Sequence, residues 1–149
     1  MHTSSAGRLI SVGYEGRSAD ELVMNLTELG VSVLVDVRLN PISRKKGLSK
    51  SGLAATLADA GILYVHHREL GNPKNNRDGL RSGDPASVAI FDGLLDGLEA
   101  RAAIRHVSEL LEDEVVALLC FERDHSQCHR AVVTRRITRV HPGVQVTRV

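Results

Sequence analysis

The sequence predicts an α/β fold in three layers, built on a doubly wound, mainly parallel sheet of about five strands. Short apolar runs alternate along the chain with segments of helical periodicity, and the runs at residues 31–37 and 115–121 are almost continuously apolar. Strands that are buried on both faces of a parallel sheet have this composition. Right-handed crossovers between such strands place helices on both faces of the sheet.

The first half of the chain predicts three strands separated by two helices. Ser18 and Glu21 form a capping box that begins the first helix, and Gly30 ends it. Helical spacing of apolar residues predicts the second helix at residues 53–60, which ends at Gly61. The three strands are expected at residues 8–13, 31–37 and 62–66.

The second half begins with an irregular loop at residues 67–84, which is rich in glycine, proline and asparagine. Loops longer than about 12 residues in compact domains are commonly functional or mobile. The Asp-Pro pair at residues 84–85 favours the start of a helical stretch to about residue 111, with a kink or split expected near Gly93 and Gly97. A strand at residues 115–121, a helix at 126–138 and a strand at 144–149 complete a Rossmann-like order of elements.

Composition is that of an ordinary globular protein. The 149 residues are 42% hydrophobic and 25% charged, and a chain of this length can bury a core of its own. We expect one domain over residues 1–149, with residues 1–7 as a flexible polar lead-in. No segment approaches the roughly 18 apolar residues of a membrane span, and the first eight residues lack the apolar run of a signal peptide. The expectation is a cytoplasmic protein with no membrane contact, and the sequence leaves its oligomeric state open.

Charge and cysteine content restrict the functional classes. The formal net charge is +1, so nucleic acid would have to bind at a local basic patch, and basic residues cluster at 44–50 and 135–139. Two phenylalanines and two tyrosines are too few for a platform on which single-stranded bases stack. Cys120 and Cys128 are too few for a disulfide framework, and we expect both as thiols in a reducing compartment, with redox pairing between them as the open alternative.

Polar and reactive side chains concentrate directly after the predicted strands. Because ligands of doubly wound sheets bind beyond the carboxyl ends of the strands, we expect these side chains to meet in one site. The candidate catalytic residues are Asp36, Glu122, Cys128 and His129. The candidate substrate-binding residues are Tyr14, Gly16, Arg38, Ser43, Arg44, His66 and Arg130.

Two groups among these residues suit an anionic ligand. The turn from Gly13 to Gly16 precedes a helix, so its amides could approach an anion at the helix N-terminus. Glycines also serve a sharp turn that packing alone requires. Asp36 and Arg38 are two residues apart at a strand end, so their side chains lie on one face. They form either a structural ion pair or a site in which Asp36 orients the Arg38 guanidinium to bind phosphate or carboxylate. The sequence leaves both alternatives open.

Cys128, His129 and Arg130 are expected in the first turn of the last helix. A thiol at a helix N-terminus beside cationic groups tends toward a lowered pKa, which makes Cys128 the candidate nucleophile. The alternative is a buried cysteine that only packs the helix against the sheet. The spacing C-x7-C-H matches no specific zinc pattern, so we predict no metal and no cofactor. The two cysteines, with His129 and one of the histidines at 66 and 67, would bind a metal only if the fold aligned them.

Four groups of motifs together resemble a known family. They are Gly13-Tyr-x-Gly16; Leu34-Val-Asp-Val-Arg38 followed by Pro41, Ser43 and Arg44; Tyr64-x-His66 with Glu69-Leu-Gly71; and Leu118-Leu-Cys-x-Glu122 with Cys128-His-Arg130. In this order and spacing, from about residue 9 to residue 146, the chain resembles the uncharacterised DUF488 family. The resemblance implies a compact α/β domain with the matched polar residues as its site, and it carries no established reaction. Asn72 departs from the family pattern, which has a second glycine there, and this departure concerns only the local loop.

Three functional hypotheses follow. The first is an enzyme acting on an anionic, phosphate- or nucleotide-like substrate that the arginines bind, with Cys128 as nucleophile or His129 as general base. Asp36 or Glu122 would then orient groups or relay protons. The second is a non-catalytic module that binds nucleic acid or an acidic protein through the basic loops at 44–50 and 74–81. The third is an internal polar network that ties the strand ends together. A small anionic ligand is the partner expected first.

Overall fold

A computed structural model describes residues 7–149 of the chain. The strands are β1 Arg8–Gly13, β2 Val33–Asp36, β3 Leu63–His66, β4 Val116–Cys120 and β5 Gln145–Arg148. The helices are α1 Ala19–Glu28, α2 Lys50–Asp59, α3 Arg77–Arg81, α4 Pro85–Leu94, α5 Leu98–Leu110 and α6 Arg130–Val140. None of these helices has both the length and the apolar composition needed to cross a bilayer. The predicted lead-in lies outside the described residues except for Gly7, whose amide donates to the carbonyl oxygen of Leu111 at 2.7 Å.

The five strands form one parallel sheet in the order β3-β2-β4-β1-β5. The chain moves outward from β1 to β2 and β3, and then returns to insert β4 between β1 and β2. Right-handed crossovers therefore place α1 and α2 on one face and the later helices on the other. This arrangement confirms the predicted three-layer, doubly wound fold.

Alternate residues along the strands supply two separate cores. Leu9 and Val35 belong to the core beneath α4, α5 and α6, whereas Ile10 and Leu34 belong to the core beneath α1 and α2. All four side chains are fully buried. Because successive residues of a strand point to opposite faces, a continuous apolar run fills both cores at once. The apolar composition of these strands thus has a direct structural cause.

The split expected in the long helical stretch is confirmed, because α4 and α5 are separate helices and Gly97 is the N-cap of α5. The boundaries of two other predicted elements are corrected. The loop at residues 67–84 contains two short 3-10 helices and α3. The last helix begins at Arg130, because the Asp124 carboxylate accepts a hydrogen bond from the Ser126 amide and folds the preceding residues into a separate 3-10 turn. Cys128 has extended backbone and precedes the helix, so its predicted place in the first helical turn is wrong.

Candidate functional site

A cleft of about 200 Å³ lies at the carboxyl ends of β1, β2 and β4. The loops after β1 and β2 lead to one face of the sheet, whereas the loop after β4, which lies between these two strands, leads to the other face. Ligand crevices form where the connections diverge in this way. The register pairs Gly13 with Cys120 and Asp36 with Leu119, so the three strands end at one level. The residues that line the cleft are Tyr14, Arg38, Leu39, Asn40, Ile42, Asn72, Arg77, Leu80, Arg81, Cys120, Phe121, Glu122, Gln127 and His129.

Two thiols and an imidazole converge beside this cleft. The Nδ1 atom of His129 lies 3.5 Å from the sulfur of Cys128 and 3.8 Å from the sulfur of Cys120. The three potential ligand atoms all lie within 4.8 Å of one another, and all three residues are buried. We call Cys120, Cys128 and His129 the thiol–imidazole cluster. The fold therefore aligns three of the reactive residues that the sequence placed at the strand ends.

The ring of His129 is held in one orientation. Its Nε2 atom lies 2.8 Å from the carbonyl oxygen of Val37, and because a carbonyl oxygen only accepts, Nε2 must carry the proton and donate it. The edge-to-face packing of Phe91, with ring centroids 5.3 Å apart, fixes the ring further. Nδ1 consequently faces the two sulfur atoms.

The charges within the thiol–imidazole cluster depend on one another. Burial alone would raise the pKa of Cys128, but its hydrogen bonds with Cys120 and His129 outweigh burial and lower that pKa well below the ordinary value. The hydrogen bond with Cys128, together with burial, raises the pKa of the Cys120 thiol well above its ordinary value. Burial alone would lower the pKa of His129, and the neighbouring Cys128 raises it instead. The arrangement favours a thiolate on Cys128 and a neutral thiol on Cys120.

The sulfur on the cleft wall is that of Cys120. Cys120 and His129 line the cleft, whereas Cys128 does not and is 2% exposed. The predicted nucleophile therefore lies behind the other thiol. Glu122 stands beside Cys120, with its carboxylate oxygen 3.9 Å from the Cys120 sulfur, and burial followed by the charge of Cys128 raises the pKa of Glu122.

Asp36 and Arg38 form a buried ion pair at the end of β2. The Nε and Nη2 atoms of Arg38 donate to the Asp36 carboxylate at 2.8 to 3.1 Å, and Nη1 donates to the carbonyl oxygen of Leu48 at 2.6 Å. Tyr64 donates its hydroxyl to Asp36 at 2.6 Å, and Nε2 of His66 bonds to the Arg38 carbonyl at 2.8 Å. Burial alone would lower the pKa of Arg38, but Asp36 outweighs it and raises that pKa. These contacts support the structural alternative for the pair, although Arg38 still lines the cleft.

Both glycines of the turn between β1 and α1 are required by the local structure. A Cβ atom on Gly13 would lie 1.9 Å from the carbonyl oxygen of Glu122, and Gly16 has a φ of +77°. The ammonium group of Lys45 donates to the carbonyl oxygens of Tyr14 and Arg17 at 3.1 and 3.0 Å. Tight packing and turn geometry thus account for the glycine pattern without an anion.

The remaining predicted substrate-binding residues lie away from the cleft wall. Ser43 accepts a hydrogen bond from the Lys45 amide within its own loop, and Arg44 is exposed. Arg130 is fully buried, and its Nη2 atom donates to the carbonyl oxygen of Glu122, which holds the chain after β4. The structure therefore brings Tyr14 and Arg38, but not these residues, to the cleft together with the cluster.

Three polar residues of the long loop before α4 line the cleft but were not predicted as site residues. Asn72, Arg77 and Arg81 reach the cleft from the long loop before α4. Nη2 of Arg81 pairs with the Glu122 carboxylate at 2.9 Å. Within the described residues, the buried Nδ2 atom of Asn72 has no hydrogen-bond partner. The length and the asparagine and arginine content of this loop were the features that could have identified them.

Neither histidine at the end of β3 joins the two thiols. His66 is bonded to the Arg38 carbonyl, and Nε2 of His67 lies 2.8 Å from Nδ1 of His106 on α5. The imidazole that approaches the sulfur atoms is thus supplied by His129.

Comparison with known proteins gives a family for the chain. The protein-family model described as "Domain of unknown function DUF488" matches residues 18–137, a range that includes every residue of the thiol–imidazole cluster. No curated protein and no solved structure matches the chain.

Proposed function

Because this chain belongs to the DUF488 family, whose description assigns no reaction, we propose its function from the site itself: an enzyme that acts on a small anionic, phosphate- or nucleotide-like substrate in the cleft. The observation that carries this proposal is the convergence of reactive and cationic groups in one concave space. Cys120 and His129 of the thiol–imidazole cluster line the cleft, together with the guanidinium groups of Arg77 and Arg81 from the long loop. A concave pocket that combines convergent polar groups with perturbed pKa values is the default location of an active site.

The rim of the cleft suits a negatively charged group. Arg77 is exposed and forms no ion pair within residues 7–149, so its charge is available to a ligand. Arg81 shares its charge with Glu122, and Asn72 also lines the cleft, with a buried Nδ2 atom that has no acceptor among residues 7–149. Guanidinium and amide donors together bind phosphate or carboxylate oxygens through charge-assisted hydrogen bonds.

The volume of the cleft sets the size of the substrate. Pockets for drug-sized ligands span roughly 300 to 1,000 Å³, whereas this cleft measures about 200 Å³. It fits a single phosphate or the phosphorylated end of a nucleotide, with the rest of the molecule lying outside. An oligonucleotide would contact the rim but would not enter.

In such an enzyme the members of the cluster have different roles. Cys120 and His129 face the cleft, so the reacting atom of the substrate lies against them. Cys128 acts from behind, through its contact with His129. Glu122 sits between the Cys120 sulfur and the Arg81 guanidinium, where it can exchange a proton with the substrate.

The alternative function is a non-catalytic module that binds nucleic acid or an acidic protein. It would use exposed basic residues on two loops, Arg44 and Lys46 on one and Lys74 and Arg77 on the other. Lys45, in the middle of the first loop, donates to two backbone carbonyls, which leaves its ammonium group fewer donors for a phosphate. This function does not need the buried thiols.

Calorimetric titration distinguishes the two functions. We expect inorganic phosphate or a nucleoside monophosphate to bind, and Arg81→Gln to weaken binding about tenfold, because a hydrogen bond to a charged group contributes about 1.5 kcal/mol or more. Arg101→Gln, which removes an exposed arginine on α5 outside the cleft and outside both basic loops, is the matched control and leaves binding unchanged. Cys120→Ser should bind the same ligand but lose turnover in a screen of phosphorylated compounds.

Two results would contradict the enzyme proposal. One is equal affinity of the parent and Arg81→Gln for every anion tested. The other is binding of oligonucleotides alone, with an affinity that falls steeply as salt is added, because release of counterions from phosphates produces that slope. The second result would favour the binding module.

A further inference from the structure

The thiol–imidazole cluster has the spacing of a metal site. A tetrahedral zinc ion bound at about 2.3 Å to sulfur and about 2.0 Å to nitrogen separates those two ligand atoms by roughly 3.5 Å. The Nδ1 atom of His129 lies 3.5 Å from one sulfur and 3.8 Å from the other. The cluster therefore matches two edges of the tetrahedron without any movement of the backbone.

The orientation of His129 is that of a metal ligand. Histidines that bind metals commonly donate the other ring N–H to a backbone carbonyl or a carboxylate, which fixes the ring and aims the free lone pair at the ion. Nε2 of His129 makes such a bond to the Val37 carbonyl at 2.8 Å, so that Nδ1 is left for the ion.

An ion can reach the cluster from the cleft. Cys120 and His129 both form part of the cleft wall, so one side of the cluster is open while Phe91 covers another. The Glu122 carboxylate lies 3.9 Å from the Cys120 sulfur on the open side. Three protein ligands with one open position is the arrangement that distinguishes catalytic zinc sites from structural ones.

We propose that Cys120, Cys128 and His129 bind one zinc ion, or an equally soft divalent ion, with the fourth coordination position open to the cleft. Two sulfur donors and one imidazole favour zinc over magnesium or calcium, which require oxygen ligands. Binding forms two metal–sulfur bonds and one metal–nitrogen bond, and the protons of any protonated thiols pass to solvent. The proposal goes beyond the enzyme function, because metal binding is measured without any substrate.

Cobalt titration of the full-length, reduced, chelator-treated chain tests this site. We expect one Co²⁺ per chain, with the charge-transfer absorption of cobalt–thiolate bonds and visible bands of tetrahedral intensity, and we expect Zn²⁺ to displace the cobalt. Cys120→Ser, Cys128→Ser and His129→Gln should each reduce affinity more than 100-fold, beyond the 10- to 100-fold that outer-shell partners contribute. His67→Gln, a half-buried histidine outside the cluster, is the matched control and keeps the affinity of the parent.

A second measurement keeps the proposal falsifiable if a variant fails to fold. X-ray absorption of the zinc-loaded parent chain should show two sulfur neighbours at about 2.3 Å and nitrogen or oxygen neighbours at about 2.0 Å. Absence of bound zinc, or a coordination shell with no sulfur, overturns the proposal. Either result leaves the enzyme function standing, because phosphate binding and turnover are measured separately.

Discussion

The Nε2 atom of His129 donates to the carbonyl oxygen of Val37 at 2.8 Å, which ties the residue before α6 to the residue that follows β2. Both groups are buried, so the bond satisfies a donor and an acceptor that water cannot reach. The same bond that aims Nδ1 at the two sulfur atoms therefore also supports the fold.

The first prediction concerns this bond. His129→Ala should lower the free energy of unfolding by about 3 kcal/mol, because it leaves the Val37 carbonyl unpaired and opens a cavity beside Phe91. His129→Gln can still donate an amide proton toward that carbonyl and should cost about 1 kcal/mol less. Urea denaturation of the reduced proteins measures both values. Equal losses in the two variants would show that the bond contributes no stability.

The second prediction concerns the ion pair of Asp36 and Arg38. Asp36→Asn keeps the shape of the side chain but leaves the guanidinium buried without a counter-charge, which should cost about 3 to 5 kcal/mol. Asp78→Asn removes one partner of an exposed pair, at 4.0 Å from Arg81, and should cost less than about 0.5 kcal/mol. Thermal and urea unfolding compare the two variants. A small loss for Asp36→Asn would mean that water or another group neutralises Arg38.

The third prediction concerns the effect of acid on stability. Burial, more than the neighbouring His106, lowers the pKa of His67, whereas Glu69 at 3.6 Å acts in the opposite direction. The unfolded chain therefore takes up a proton near pH 6.5 that the folded chain resists, and stability is lost as pH falls below about 6.5. The slope from this group is at most about 1.4 kcal/mol per pH unit.

The control for this pH effect separates its two causes. His67→Gln should reduce the loss of stability below pH 6.5, as measured by urea denaturation in a pH series. Part of the slope should remain, because burial lowers the pKa of His125 to about 4. His106→Gln removes the charge of the neighbouring ring but leaves residue 67 buried, so most of the slope should remain. An unchanged slope in His67→Gln would assign the acid sensitivity to other groups.

The fourth prediction concerns the turn after β1. Gly13→Ala should lower the free energy of unfolding by more than about 3 kcal/mol, because the new methyl group would lie 1.9 Å from the Glu122 carbonyl and must displace the chain after β4. Gly93→Ala is the matched control, since that glycine lies in α4 with open space around it. Alanine there should stabilise the helix by about 0.5 to 1 kcal/mol. Similar behaviour of the two variants would contradict the close approach at Gly13.

The order of elements could be predicted from the sequence because it depends on local patterns. The apolar run that ends at Val37 has to be a strand buried on both faces, and the capping box of Ser18 and Glu21 begins α1 where it was expected. The start of α6 was less predictable. Asp124 caps a separate turn, and this competes with the helical periodicity that extends into the same residues.

The contents of the cleft depend on contacts between distant residues. The sequence could not decide the role of Arg38, because its spacing from Asp36 fits a structural ion pair and a ligand site equally well. The carbonyl oxygen of Leu48, which accepts a hydrogen bond from Arg38, belongs to another loop and could not be predicted as its partner. Asn72 and Arg81 were not predicted because an irregular loop has no periodicity from which the direction of a side chain follows. Cys120 and Cys128 come together because β4 ends at Cys120 and because a separate 3-10 turn precedes Cys128 before α6 begins. The sequence pattern does not indicate this turn.

The position of β4 has a consequence for how the protein assembles during synthesis. β1 and β2 leave the ribosome first, yet they are not neighbours in the sheet, and the strand that joins them is made more than 75 residues after β2 ends. Contacts this distant in the chain form late and slowly. Until β4 emerges, the early strands have exposed edges, and chaperones or partner strands can compete for them. Cys120 lies at the end of β4 and Cys128 follows it, so the nascent chain cannot assemble the thiol–imidazole cluster before β4 is available to pair with β1 and β2.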